Sequence, residues 1–104
     1  MAKARANAAA QRAVLRIFAL FGHPVRVIIF QRLGREPMTA GELAKGLSIG
    51  RPAVVQHLKR LESARLVDAS MDGRRRVYRI EPAGLAPLTR WLNLYAGGSP
   101  EHPQ

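Results

Sequence analysis

Apolar residues recur at helical spacing along the N-terminal part of the chain. In residues 8–21 they cover most of the circumference of a helix, whereas a helix that buries one face needs only about a third of its positions apolar. This pattern predicts a first helix that packs on two surfaces, the second being most simply another copy of the chain. A second helix is predicted from Pro24, with apolar residues at core spacing at Val25, Ile28, Ile29 and Leu33.

Residues 38–66 predict two short helices separated by a tight turn. Thr39 and Glu42 have the T-x-x-E spacing of a capping box, in which each side chain accepts a hydrogen bond from the other residue's backbone N–H. The turn after this third helix leads to Pro52, whose missing N–H is tolerated in the first turn of a helix. The fourth helix, predicted for residues 51–65, places a buried stripe at Val54, Leu58 and Leu61.

The C-terminal part of the chain predicts a β-hairpin followed by a helix. Strands at residues 66–71 and 74–80 flank Asp72 and Gly73, which form a strong two-residue hairpin signal. The pattern then predicts a last helix that is regular from about residue 86 to 95.

Together these elements predict a mainly α-helical α+β domain at residues 9–96. Their order is helix-helix-helix-helix-strand-strand-helix, and the two-stranded hairpin after a helix-turn-helix makes this a winged helix-turn-helix. A mobile basic arm is expected at residues 1–8. A flexible tail of Gly, Pro and polar residues is expected at 97–104.

The charge of the chain indicates what this fold binds. The 104 residues include 17 Lys and Arg against 7 Asp and Glu, which gives a net charge of +10 and favours a polyanionic partner. The outer face of the fourth helix is basic and is expected to carry no acid, and three arginines follow Gly73 in the hairpin turn. A helix-turn-helix followed by a basic hairpin is suited to reading duplex DNA, so double-stranded DNA is the expected partner.

Three segments carry a resemblance to a known family: HPVRVIIFQRL, MTAGELAKGLSIGRPAVVQHLKRLESARLV and DGRRRVYRI. Across residues 20–95 the chain resembles the ArsR/SmtB family of bacterial winged-helix repressors. The resemblance implies a homodimer, built from the first and last helices, that represses transcription until an effector releases it. The residues expected at the dimer interface are Val14, Phe18, Phe21, Leu88, Trp91, Leu92 and Tyr95.

The candidate DNA contacts lie on the fourth helix and in the hairpin turn. Gln56 is the candidate for base readout because its amide can pair with adenine through two hydrogen bonds. Arg51 and Lys59 are expected to anchor phosphates. The hairpin arginines suit backbone or minor-groove contact. The full set is Arg51, Pro52, Val55, Gln56, His57, Lys59, Arg60, Arg74, Arg75 and Arg76.

Each of these assignments has a plainer alternative. The basic residues of the fourth helix can be a solvated face, and the hairpin arginines can serve only to keep an exposed strand edge from aggregating. For His57, packing against the rest of the fold is as compatible with its position as a phosphate contact.

Metal, cofactor and catalytic sites are not expected. The chain has no Cys, so disulfides and thiolate metal sites are excluded. The resemblance extends to neither usual metal site of the family: residues 42–46 lack its Cys pair, and the last helix offers only Thr89, Arg90 and Asn93 as polar groups. No catalytic constellation is present, so an enzyme is not expected. The longest apolar run, residues 17–21, is far short of the ~18 residues of a membrane span. A cytoplasmic location is expected, which the absence of Cys fits.

Three functions are compatible with the sequence. The first is a homodimeric, sequence-specific transcriptional regulator, acting as a repressor. The second is a basic architectural protein that binds nucleic acid with little sequence specificity. The third is a winged helix that binds only proteins, which the concentration of arginine in the fourth helix and hairpin disfavours. The sequence identifies neither an operator nor an inducer.

Overall fold

Five α-helices and a three-stranded antiparallel sheet make up the fold in this computed structural model, which describes residues 2–97. The tail predicted at 97–104 therefore lies outside the described residues except for Gly97. In chain order the elements are α1 (Ala2–Phe21), α2 (Pro24–Leu33), β1 (Met38–Thr39), α3 (Ala40–Ala44), α4 (Arg51–Ser63), β2 (Val67–Asp72), β3 (Arg75–Ile80), a 3₁₀ turn (Pro82–Leu85) and α5 (Ala86–Tyr95).

The first helix is longer than predicted. Helix α1 begins at Ala2, whereas the sequence pattern placed an arm at residues 1–8 and the start of the helix at residue 8. The reason is the composition of this segment, which is rich in Ala, the strongest helix former, and contains neither Gly nor Pro. Helix α1 ends at Phe21, before Gly22 and Pro24, as predicted.

The core lies between α1, α2, α3, α4 and the sheet. The predicted stripe of α4 is confirmed, because Val54, Leu58 and Leu61 are fully buried. In α2 the prediction was wrong at one position: Ile28 is 40% exposed. Ile29 and Leu33, four residues apart, take the buried face, and Ile28 lies about 100° away around the helix.

The sheet differs from the predicted hairpin in two respects. The short strand β1 adds to the other edge of β3, with Met38 opposite Tyr78, so the order is β1-β3-β2. The hairpin turn lies one residue later than predicted, because Asp72 pairs with Arg75. Gly73 then occupies the first central position of the turn with φ 64°, the conformation that glycine favours in a type II′ turn.

The end of α4 has a left-handed residue that is not glycine. Arg65 has φ 59°, and the N–H groups of Arg65 and Leu66 donate to the carbonyls of Glu62 and Leu61 at 2.9 and 3.0 Å. These two bonds form a Schellman motif, which turns the chain directly from α4 into β2. Helix α4 and the hairpin are therefore joined by a short, hydrogen-bonded connection.

No single helix within residues 2–97 has the length and hydropathy needed to cross a membrane. Residues 5–21 of α1 and helix α2 meet those criteria only as a pair, bent by 98°, and by length and composition alone.

Candidate nucleic-acid interface

The helix-turn-helix is held by hydrogen bonds at both ends of α3. The predicted capping box is confirmed: the hydroxyl of Thr39 accepts from the N–H of Glu42 at 3.1 Å, and the Glu42 carboxylate accepts from the N–H of Thr39 at 2.8 Å. The backbone hydrogen bond from Thr39, followed by the charge of Arg75, lowers the pKa of Glu42. At the other end, Arg32 donates to the carbonyls of Leu43 and Lys45 at 2.8 and 2.7 Å. These two hydrogen bonds from Arg32 hold the start of the turn that precedes α4.

Helix α4 turns its polar side to solvent because its apolar stripe is buried. Pro52, the first-turn proline that the sequence predicted, follows Arg51 at the start of the helix. Gln56 and Lys59 are exposed and three residues apart, so their side chains are neighbours on the helix surface. The exposed candidates of α4 are Arg51, Pro52, Gln56, Lys59 and Arg60, and Val55 is half-buried.

A groove of about 520 Å³ runs between α4 and the hairpin β2–β3, which we call the wing. Its lining brings together six of the predicted contact residues: Arg51, Val55, Lys59, Arg74, Arg75 and Arg76. Gln56 and Arg60 do not line it. Helix α4, which is the recognition helix of the helix-turn-helix, and the wing follow each other closely in the sequence and together form one basic surface.

Three carboxylates approach this surface, and one of them, Glu62, lies on α4, whose outer face was expected to carry no acid. Arg75 pairs with Glu42 of α3 at 3.3 Å and with Asp72 at 3.9 Å. Arg76 pairs with Glu62 of α4 at 3.2 Å, and Glu62 lines the groove. Its spacing of three residues from Lys59 was the signal in the sequence that places Glu62 near this face. In contrast, no ion pair or side-chain hydrogen bond among the described residues involves Arg51, Lys59 or Arg74.

His57 lies on the other side of α4, toward α2. Its ring packs against that of His23 with the centroids 4.7 Å apart, and its Nδ1 accepts a hydrogen bond of 3.2 Å from Nε of Arg26. Burial lowers the pKa of His57, as do the nearby positive charges of Arg26 and Arg60 and the neighbouring His23. This environment favours the packed-histidine interpretation over a phosphate contact.

A second surface, formed by α1 and α5, carries exposed aromatic residues. Phe18 packs edge-on against Trp91 with the ring centroids 5.2 Å apart. The ring centroids of Trp91 and Tyr95 are 5.0 Å apart. Phe18 is still 43% exposed and Tyr95 71%. The exposed large apolar residues of these two helices are Leu15, Phe18, Trp91, Leu92, Leu94 and Tyr95.

Three of the residues predicted at the dimer interface also pack within the chain's own fold. Val14 is only 5% exposed, and Leu88 is half-buried against the core. Phe21 packs against Phe30 with the centroids 4.9 Å apart. The sequence did not single out Leu15, because the pattern of a helix that is apolar nearly all round does not show which side faces its own core. Leu94 lies outside the stripe of Leu88, Trp91, Leu92 and Tyr95 on which the prediction for α5 was based.

Metal binding has no support in the described part of the chain. Within residues 2–97, no three His, Asp or Glu side chains come together in a way that could hold a metal ion.

Comparison with known proteins places the chain in a family. Residues 21–68 match a helix-turn-helix domain family. The chain is 52% identical over 70 residues to the HTH-type transcriptional regulator Rv2034 of Mycobacterium tuberculosis, a match that covers 67% of this chain and 65% of that protein. The chain thus spans slightly less than two thirds of that relative's length.

Solved structures agree with this assignment. An ArsR-like transcriptional regulator from Rhodococcus has a TM-score of 0.73 and 30% identity, over 85% of this chain and 83% of the other. The homodimeric winged helix-turn-helix DNA-binding domain of Mb0332 from Mycobacterium bovis has a TM-score of 0.70 and 25% identity, over 92% and 89% of the two chains. The chain therefore belongs to the ArsR family of winged helix-turn-helix transcriptional regulators.

Proposed function

We propose that this protein is a homodimeric, sequence-specific repressor of transcription that binds double-stranded operator DNA. In this proposal α4 enters the major groove and the wing contacts the flanking backbone or minor groove. The observation that carries it is the basic groove of about 520 Å³ that α4 and the wing form together. A protein that acts on chromosomal DNA is expected in the cytoplasm.

The exposed side of α4 supports a division of labour among its residues. Gln56 is our candidate for reading a base edge, because it is exposed on α4 outside the groove and its amide can pair with adenine. Arg51 and Lys59 border the groove and are placed to hold phosphates, which fixes register without reading sequence. Pro52 and Val55 lie in the N-terminal turns, the part of a recognition helix that approaches the bases, and Arg60 extends the basic face.

The proposed dimer forms through α1 and α5. A chain of this size seldom leaves a contiguous aromatic and aliphatic face open to water, and such a face marks an interface. The related DNA-binding domain from Mycobacterium bovis is homodimeric, which supports a homodimer here. A symmetric dimer would present two copies of α4 to half-sites about one helical turn, or ~34 Å, apart.

Repression follows from occupancy in this proposal, because a dimer bound at a promoter excludes other proteins from that stretch of DNA. The alternative is a basic architectural protein with little sequence specificity, for which a net charge of +10 alone would suffice. The two differ in the ratio of affinities for a preferred site and for random duplex.

In vitro selection from a random duplex library distinguishes a sequence-specific repressor from an architectural protein. We expect enrichment of an inverted repeat that binds at least about 10³-fold tighter than random duplex at physiological salt. Inserting half a helical turn between the two halves of the repeat should abolish the tight binding, because the two recognition helices then face different sides of the duplex. Failure to enrich any sequence, with equal affinity for all duplexes, would favour the architectural function.

A further inference from the structure

We propose that Arg76 is a positioning residue and not a DNA contact: with Glu62 and Tyr78 it forms a strut that holds the wing at a fixed distance from α4. The inference rests on the proposed DNA-binding function and deepens it, because it divides the three wing arginines between two roles. We call Glu62, Arg76 and Tyr78 the strut.

The strut begins in the core. Arg76 and Tyr78 are two residues apart on β3, so both side chains lie on the same face of the sheet. Tyr78 is 4% exposed, and its hydroxyl accepts a hydrogen bond of 3.1 Å from Nε of Arg76. The guanidinium carbon also lies 5.5 Å from the centroid of the Tyr78 ring, within the range of a cation–π contact. The arginine is therefore anchored at one edge by a buried residue.

The other edge of the guanidinium faces the recognition helix. Its Nη2 donates to the Glu62 carboxylate at 3.2 Å, and the Glu62 side chain is only 33% exposed. An isolated exposed ion pair stabilises little, but here a hydrogen bond, a ring contact and an ion pair share one planar group. The hydrogen bond to Tyr78 raises the pKa of Arg76, as does Glu62. A phosphate would have to compete with Glu62 for Nη2 of Arg76.

The neighbouring arginines provide the contrast. Arg75 alternates to the opposite face of β3 and pairs with Glu42 and Asp72, whose side chains are 45% and 76% exposed. No buried residue anchors it, so it can exchange a carboxylate for a phosphate. Arg74 occupies the turn itself. In this proposal Arg74 and Arg75 contact DNA, and Arg76 determines where they are held.

The first experiment needs no DNA. ¹⁵N relaxation of the wing-tip amides of Gly73 and Arg74 should show greater motion in Glu62→Gln and in Arg76→Gln, with the double variant no more mobile than either. Asp72→Asn also removes one negative charge, but from a residue outside the strut, and should leave the motion of these amides unchanged. Unchanged wing-tip motion in both strut variants would overturn the proposal.

The second experiment measures affinity for the selected duplex as a function of salt. Glu62→Gln and Arg76→Gln should each weaken binding roughly three-fold, the scale of a networked surface pair, and the double variant should be no weaker than either single one. Arg76→Gln should keep the wild-type salt slope, whereas Arg75→Gln should lower it by about 0.9, the value for one phosphate that is no longer neutralised.

Two results contradict the strut. One is tighter binding by Glu62→Gln than by Asp72→Asn, which would mean that Glu62 withholds Arg76 from DNA. The other is a fall of about 0.9 in the salt slope of Arg76→Gln, which would make Arg76 a phosphate contact. If the wild-type protein prefers no duplex at all, the proposed function fails, and the relaxation experiment still decides whether the strut exists.

Discussion

Gly84 lies directly against the backbone carbonyl of Arg65. A Cβ atom built on Gly84 would overlap the carbonyl oxygen of Arg65 and lie 2.6 Å from its carbonyl carbon. Arg65 follows α4 in the left-handed conformation, and Gly84 belongs to the 3₁₀ turn that leads into α5. This contact joins the end of the recognition helix to the start of the helix proposed for dimerisation.

Gly84→Ala should destabilise the protein by about 1–3 kcal/mol, the usual cost of overpacking, because the obstacle is backbone and cannot rotate away. Gly41→Ala is the matched control, since a Cβ there meets nothing closer than the Thr39 hydroxyl at 3.9 Å and lies within α3. Urea unfolding at one fixed protomer concentration measures both variants. A Gly84→Ala protein as stable as wild type would show that the contact is looser than the structure indicates.

Phe18→Asp and Leu92→Asp should each convert the proposed dimer into a monomer and abolish tight operator binding at the same time. The reason is that each places a charge in the exposed apolar face of α1 and α5, where a partner would have to bury it. Sedimentation at tens of micromolar protein measures the oligomeric state. Met71→Asp, the same kind of change at an exposed apolar residue of the wing, should leave the dimer intact. A wild-type monomer at these concentrations would remove the basis of the dimer proposal.

Acidification should destabilise the protein through His57. Burial lowers the pKa of this histidine in the folded chain below its ordinary value, which it keeps in the unfolded chain. At pH values between these two pKa values the unfolded chain therefore binds more protons than the folded one. The contribution of neutral His57 to stability is therefore fully present above the unfolded-state pKa of about 6.5 and is lost as the pH falls below it. The charged or titratable groups around the ring are His23, Arg26 and Arg60, and protonation would also remove the acceptor for Arg26.

The measurement is the free energy of unfolding from about pH 7.5 to about pH 5.5, compared with that of His57→Gln. The glutamine amide can accept the hydrogen bond from Arg26 but does not titrate, so its curve should fall less steeply. Parallel curves for the two proteins would contradict the role assigned to His57.

The features that could be predicted from the sequence are local. The capping box depends on two residues three apart, and the α4 stripe depends on spacing within one helix, so each is visible in a short window. The pairing of Glu62 with Arg76 joins residues 14 apart in different elements, and no periodicity encodes it. Strand β1 has only two residues, too few to show alternation. The hairpin turn was misplaced by one residue because Gly73 fits either position of a two-residue loop.

The same limit applies to the candidate site. Residue type was enough to find the basic side chains of α4 and the wing. It could not show which of them pair with a carboxylate. The carboxylates of Glu42 and Glu62 approach Arg75 and Arg76 only after the chain folds, and they separate these two arginines from Arg74. Likewise, His57 could be assigned to the side facing α2 only once His23 and Arg26 were in place.

The central claim is that α4 reads base sequence, and the most direct test is the affinity of Gln56→Ala for the selected operator and for random duplex of the same length. Gln56→Ala should lose about 1–3 kcal/mol on the operator and almost nothing on random duplex, because only a base contact depends on sequence. Lys59→Ala, one turn along the same face, should weaken both and lower the salt slope by about 0.9. Equal losses on both duplexes in Gln56→Ala would contradict the account and favour an architectural protein that does not read sequence.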